Sequence, residues 1–175
     1  MQVRNTTTRW GAVSKGLHWL VVLLVIGQFV LANLADGLPL GMAKLGMLAR
    51  HKSVGLTILA LALLRLLWRS TQPTPLLPRS TPPLQRRLAQ GTHVLLYGLL
   101  LAMPLSGWLM SSAKNYPVSW FGLFQLPDLV APSESAYRAL HGAHETLAGL
   151  LVLTALLHLL GALKHHLLDR DTVLR

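Results

Sequence analysis

The chain has 175 residues, of which 52% are hydrophobic and 13% charged, and its formal net charge is +10. Soluble domains carry about 25% charged residues, so this composition argues against a soluble fold and points to the bilayer. Cysteine is absent, which excludes disulfides, thiolate ligands and iron–sulfur clusters.

A helix needs about 20 apolar residues to cross a hydrocarbon core of about 30 Å. The first run of that kind is "LHWLVVLLVIGQFVLANLA", residues 17–35. Arg4, Arg9 and Lys15 precede it as a signal peptide's basic region would. The run is too long for a leader, however, and no clean small-residue cleavage site follows, so it reads as a span. Gln28 and Asn33 are polar groups within it and receive no role. The second run is "HKSVGLTILALALLRLLW", residues 51–68. A linker follows, "TQPTPLLPRSTPPLQRR", with five prolines between Gln72 and Pro83. The third run, residues 92–110, contains Pro104, which predicts a kink. After the loop "NYPVSWFGLFQLPDLVAPSESAYR" comes the fourth run, residues 143–163. The expected fold is all-α: one integral membrane four-helix bundle over residues 1–175, with no soluble domain.

Orientation follows from lysine and arginine in the loops. With the N-terminus inside, that face holds ten: Arg4, Arg9, Lys15, Arg69, Arg79, Arg86, Arg87, Lys164, Arg170 and Arg175. The outer face holds five: Lys44, Arg50, Lys52, Lys114 and Arg138. Both termini are therefore expected in the cytoplasm. The basic balance reflects topology and attraction to anionic lipid and does not call for nucleic acid.

Eight histidines remain to be explained. His165 and His166 lie past the fourth span among charges and read as solvated. The other six lie in or beside spans, where ionisable groups are rare and usually functional. His144 and His158 are 14 residues apart, which in a helix is about 21 Å of rise with an angular offset of only about 40°. They share a face at two depths. His141 is turned off that face by about 100°. Depth then supplies partners. His18 and His158 fall near the inner edge, His51 and His144 near the outer one. His93 also falls in the inner layer, so spacing alone leaves His18's partner open between His93 and His158.

Two facing imidazoles suit the two axial positions of haem iron. Without cysteine, covalent CxxCH attachment is excluded and the haem would be b-type. Met103 and Met110 read as packing residues. Structural zinc wants four ligands at one point, more than either layer offers. Six-coordinate iron leaves no open position, so the expected work is electron transfer. Arg65 is a charge inside the second span, 14 residues from His51 and on nearly the same face. It points to a haem propionate, although snorkelling beside Arg69 is the bland alternative.

The chain resembles the bacterial cytochrome b-561 family over nearly its whole length. The likeness rests on "KGLHWLVVLLVI", "HKSVGLTILALALLRLLWRSTQPTP", "HVLLYGLLLAMPLSGWLM" and "HETLAGLLVLTALLH". The resemblance implies a bacterial inner-membrane protein with two non-covalent haem b groups. By it the axial ligands are His18 with His158 on the cytoplasmic side and His51 with His144 on the periplasmic side. His93 then becomes a propionate or quinone-pocket neighbour, and His141 a surface or supporting residue. It also implies a superoxide:ubiquinone oxidoreductase-like activity, with ubiquinone as acceptor and a periplasmic donor, superoxide or a protein. Arg50, Lys52 and Lys114, with Lys44 and Arg138, would form a positive outer rim steering a small anion. Two alternatives are a cytochrome b subunit of a larger redox complex, docking through "NYPVSWFGLFQLPDL", and a non-redox transporter or scaffold.

Overall fold

The computed structural model describes residues 2–75 and 81–169. Arg79, Arg170 and Arg175, three of the cations assigned above to the inner face, lie outside the described residues. Four long helices follow one another: α1 (Ala12–Asp36), α2 (Met42–Ser70), α3 (Pro83–Ala113) and α4 (Glu134–Lys164). Each is long and apolar enough to cross a membrane. Between α3 and α4 sits a small antiparallel hairpin, β1 (Val118–Trp120) and β2 (Phe124–Leu126), with Ser119 opposite Gln125. A π-helical turn, His165–Asp169, extends α4. The expected four-helix membrane bundle is the fold found.

Every helix runs beyond its apolar stretch. α2 begins nine residues before His51, and α4 begins ten residues before His144. The apolar run measures the hydrocarbon, whereas the helix continues into the polar interface until a cap or breaker stops it. Pro83 opens α3 at a position where its missing N–H is no loss. Ser133 caps α4, its Oγ accepting from the Ala136 N–H at 3.3 Å. Pro104 lies inside α3 and the helix continues through it.

The core lies at mid-bundle. Val21, Ile58, Ala62 and Leu100 are buried together, joining α1, α2 and α3, with Leu24, Val25, Val54, Leu61 and Leu101 against them. Leu23, Ile26, Leu67, Leu95, Leu153 and Leu160 face outward. In a bilayer such exposure is lipid contact and needs no partner. α1 packs on α2, α3 on α4, and α2 on α3.

One end of the bundle carries the start of α1 and the end of α4 and is called here the terminal end. The other carries the hairpin. At the terminal end buried Asn5 ties three segments together. Its Oδ1 accepts from the Gly11 N–H at 2.9 Å and from Ser14 Oγ at 2.7 Å, and its Nδ2 donates to the Pro73 carbonyl at 3.3 Å. Trp68 Nε1 in turn donates to Ser14 Oγ at 3.0 Å. Asn5→Ala leaves two buried donors without an acceptor. It is expected to lower stability in detergent by about 1–3 kcal/mol, read as a drop in the thermal midpoint.

The hairpin is fastened to α2. Ser53 Oγ lies 3.0 Å from the Ser119 carbonyl and accepts from the Phe121 N–H at 3.0 Å. Trp120 Nε1 donates to Thr57 Oγ1 at 3.0 Å, and Lys52 Nζ donates to the Pro117 carbonyl at 2.6 Å. Phe121 and Gly122 turn the chain at φ of 50° and 75°, the two positive values that a tight hairpin turn requires. The segment expected to be an irregular loop is thus a strapped two-stranded cover.

Candidate functional site

The bundle brings histidines together at both ends. At the hairpin end His51 of α2 faces His144 of α4, with ring centroids 6.4 Å apart. At the terminal end His18 of α1 faces His158 of α4 at 6.2 Å. Nitrogen-to-metal bonds of about 2.0–2.1 Å on opposite sides of one ion, plus about 1.1 Å from each nitrogen to its ring centre, give a separation of about 6.3 Å. Both pairs fit that spacing. His93 of α3 is 5.3 Å from the His158 ring, about an ångström short of it, and instead lies edge-on against that ring.

Several features of the chain suit a flat cofactor between these rings. Buried His18 Nδ1 and His51 Nδ1 have no hydrogen-bond partner. Gly107 of α3 leaves the space that the His144 ring uses: a Cβ there would stand 3.2 Å from His144 Cε1. Gly55 of α2 does the same for Gln28, whose Nε2 would meet such a Cβ at 3.0 Å. Gln28 donates to the His51 carbonyl at 3.0 Å, while its own Oε1 is buried without a partner. The sequence marked Gln28 as a polar group in a span, and the structure gives it the task of holding α1 against the turn that carries His51. Among the described residues no cluster of three or more His, Asp or Glu side chains is arranged to hold a bare metal ion. The pairs suit a cofactor that brings its own equatorial ligands.

Arg65 and Arg69 flank Tyr97 of α3 at the terminal end, their guanidinium carbons 5.3 and 5.9 Å from its ring centre. Arg65 lies within electrostatic reach of His18, His93 and His158. Among the described residues no carboxylate pairs with either arginine. A half-buried guanidinium without an anion at membrane depth is poised for one supplied by a ligand. Beside them lies a cavity of about 540 Å³, lined by Leu66, Arg69, Gln90, His93, Val94 and Tyr97.

The outer rim is less uniform than the sequence implied. Lys114 Nζ is 2.7 Å from Glu134 Oε2, and this bond holds its ammonium above the usual lysine range. Arg138 also approaches Glu134, at 3.9 Å. Lys44 donates to the Leu38 carbonyl at 3.3 Å. Arg50 is exposed, half-buried Lys52 donates to the Pro117 carbonyl, and among the described residues neither pairs with a carboxylate. Arg50 and Lys52 therefore keep an uncompensated charge at the rim, and Lys114 does not. His141 is exposed beside Tyr137 and 3.6 Å from Glu145. His165 lies 3.3 Å from Asp169, in the turn that ends α4.

The chain is similar to known proteins along nearly its full length. It is 34% identical to "Cytochrome b561 homolog 2" of Escherichia coli (strain K12), over all of this chain and 94% of that protein. It is 30% identical to "Probable superoxide oxidase CybB" of Yersinia pestis, over 95% of this chain and 93% of that one. "Cytochrome b561 homolog 1" of Escherichia coli (strain K12) matches at 27% over 90% of each chain. The family model described as prokaryotic cytochrome b561 matches residues 9–175. Two imidazole pairs across a four-helix membrane bundle agree with that match, and the chain belongs to the prokaryotic cytochrome b561 family, membrane proteins that transfer electrons through b-type haem.

Proposed function

We propose that this protein carries electrons across the bacterial inner membrane between two b-type haems, from superoxide at the periplasmic face to ubiquinone at the cytoplasmic side. The two imidazole pairs, 6.2 and 6.4 Å apart at opposite ends of the bundle, carry this reading. Haem bound there supplies reversible one-electron exchange. His18 and His158 hold the inner group, and His51 and His144 hold the outer one. Arg65 pairs with an inner propionate. The bias of lysine and arginine in the loops supports an orientation with both termini in the cytoplasm.

Arg50 and Lys52 draw superoxide to the hairpin end, and the hairpin strapped to α2 narrows its approach. Ubiquinone takes the cavity beside His158, where His93, Gln90 and Tyr97 offer hydrogen bonds and the bilayer gives access. The relative named a probable superoxide oxidase supports the choice of donor. The test is a reduced-minus-oxidised spectrum with haem and protein quantified, then reduction by superoxide with quinone present. About two low-spin haems per chain and superoxide-dependent quinol formation are expected. A colourless protein, prepared with ample haem, overturns the reading.

Lys52→Gln removes a rim charge without touching a proposed ligand. It is expected to slow superoxide oxidation about threefold at low salt and to flatten the salt dependence, as stopped-flow rates across ionic strength will report.

A second reading has its own observation. The hairpin tip exposes Phe121, Leu123 and Phe124, with Leu123 at 74%, and an apolar tip at the membrane edge suits a protein donor. If superoxide leaves the haems oxidised while a redox partner reduces them, the chain is the cytochrome b subunit of a larger complex.

A further inference from the structure

The four paired histidines are not held alike. His144 Nδ1 lies 2.8 Å from Ser106 Oγ, and Ser106 Oγ lies 2.8 Å from the Met103 carbonyl. A hydroxyl has one proton, and a carbonyl can only accept. Ser106 therefore donates to Met103 and accepts from His144 Nδ1–H, while the His144 ring also approaches the Met103 carbonyl. That fixes the imidazole tautomer: the proton sits on Nδ1, and the Nε2 lone pair is free for a metal. Gly107, next in the chain, admits the ring to this position. Among the described residues no hydrogen bond is made by a ring nitrogen of His18 or His158, the Nδ1 atoms of His18 and His51 are buried without one, and the His51 ring comes within reach of the Gln28 backbone. Of the four rings only His144 meets a side-chain hydroxyl, and both rings with a hydrogen-bonding neighbour belong to the hairpin-end pair.

An acceptor on Nδ1–H raises the basicity of a ligating imidazole. A more basic ligand favours the ferric over the ferrous state. We propose that Ser106 is a positioning residue which, through His144, makes the hairpin-end haem the poorer electron acceptor of the two and so sets the direction of flow toward the terminal end. This rests on the haem reading above. The exchange moves one electron: the hairpin-end iron is oxidised, the terminal-end iron is reduced, and no bond or proton changes place. The inference adds a residue that the histidine pattern does not contain, and a reason for the current to run inward.

The test is a redox titration of the purified holoprotein as wild type, Ser106→Ala and Ser106→Thr. The His51→Ala protein, holding only the terminal-end haem, identifies which midpoint is which. In the wild type the lower midpoint belongs to the hairpin-end haem. In Ser106→Ala that midpoint rises. The equilibrium preference for an electron on the terminal-end haem then falls about tenfold, equivalent to about 59 mV for a one-electron couple. The other midpoint stays in place, and Ser106→Thr, which keeps the hydroxyl, behaves as wild type. The low-spin ferric resonance of the hairpin-end haem alone changes with the alanine variant. A hairpin-end midpoint that stays or falls, or loss of that haem from Ser106→Ala, overturns the proposal. A wild-type protein without two haems overturns the underlying reading instead, so the two failures are distinguishable.

Discussion

His158→Ala is expected to leave the purified protein with about one haem where the parent holds about two, and the haem lost is the one at the terminal end. His93→Ala is expected to keep both. The two rings touch, at 5.3 Å between centres, so the contrast depends on which of them faces His18 at ligand spacing. His158 does, at 6.2 Å. Without it the inner iron has a single protein ligand, and a methyl group offers none. The remaining haem at the hairpin end keeps both its ligands, because α4 still presents His144 to His51. His93→Ala instead removes a hydrogen-bonding group from the cavity wall. One lost hydrogen bond to a bound quinone is expected to raise its apparent KM about tenfold, with the haem spectrum unchanged. Haem quantified per chain, together with quinone kinetics on both variants, checks this. If His93→Ala sheds a haem, the pairing at the terminal end is wrong.

Gly107→Val is expected to empty the other end. A Cβ at this position stands 3.2 Å from His144 Cε1 and 3.6 Å from Nδ1. The two methyl groups of valine extend further into the same space, and the ring must swing away. Overpacking of this kind costs about 1–3 kcal/mol, but its larger effect is geometric. The imidazole leaves both Ser106 and the line to His51. The variant is expected to retain one haem, the terminal-end one, with its midpoint unchanged. Gly107→Ala brings only the single close contact and is expected to shift the hairpin-end midpoint and keep the haem. Redox titration with haem quantification on both variants separates these outcomes.

The spans were legible because a bilayer demands uninterrupted apolar length, and length is visible in one dimension. The helix ends were not: Met42–Arg50 and Glu134–Gly142 carry charges that interrupt the apolar run, yet the helix continues through them. The two layers of histidine were legible from helical rise alone. The choice between His93 and His158 was not, because depth does not tell distance across a bundle. The 5.3 and 6.2 Å separations favour His158. The hairpin escaped because its strands have three residues each and are held by Ser53 and Thr57, more than sixty positions away. Ser106 escaped because a serine two residues after a proline reads as helix punctuation. Only the fold shows that its hydroxyl reaches His144. Lys114 looked like a free rim charge until Glu134, 20 residues on, was found beside it.

α1 packs on α2 and α3 on α4, with α2 and α3 joining the two halves, and among the described residues α1 and α4 make no close backbone approach. Yet each histidine pair has its second member on α4 and its first on α1 or α2. Ligation by these pairs would therefore cross the seam between two helical hairpins that, among the described residues, otherwise share one helix–helix interface. In such a molecule cofactor binding is folding free energy. A haem held there would pin the two halves together, and its loss is expected to lower the thermal midpoint of the protein in detergent.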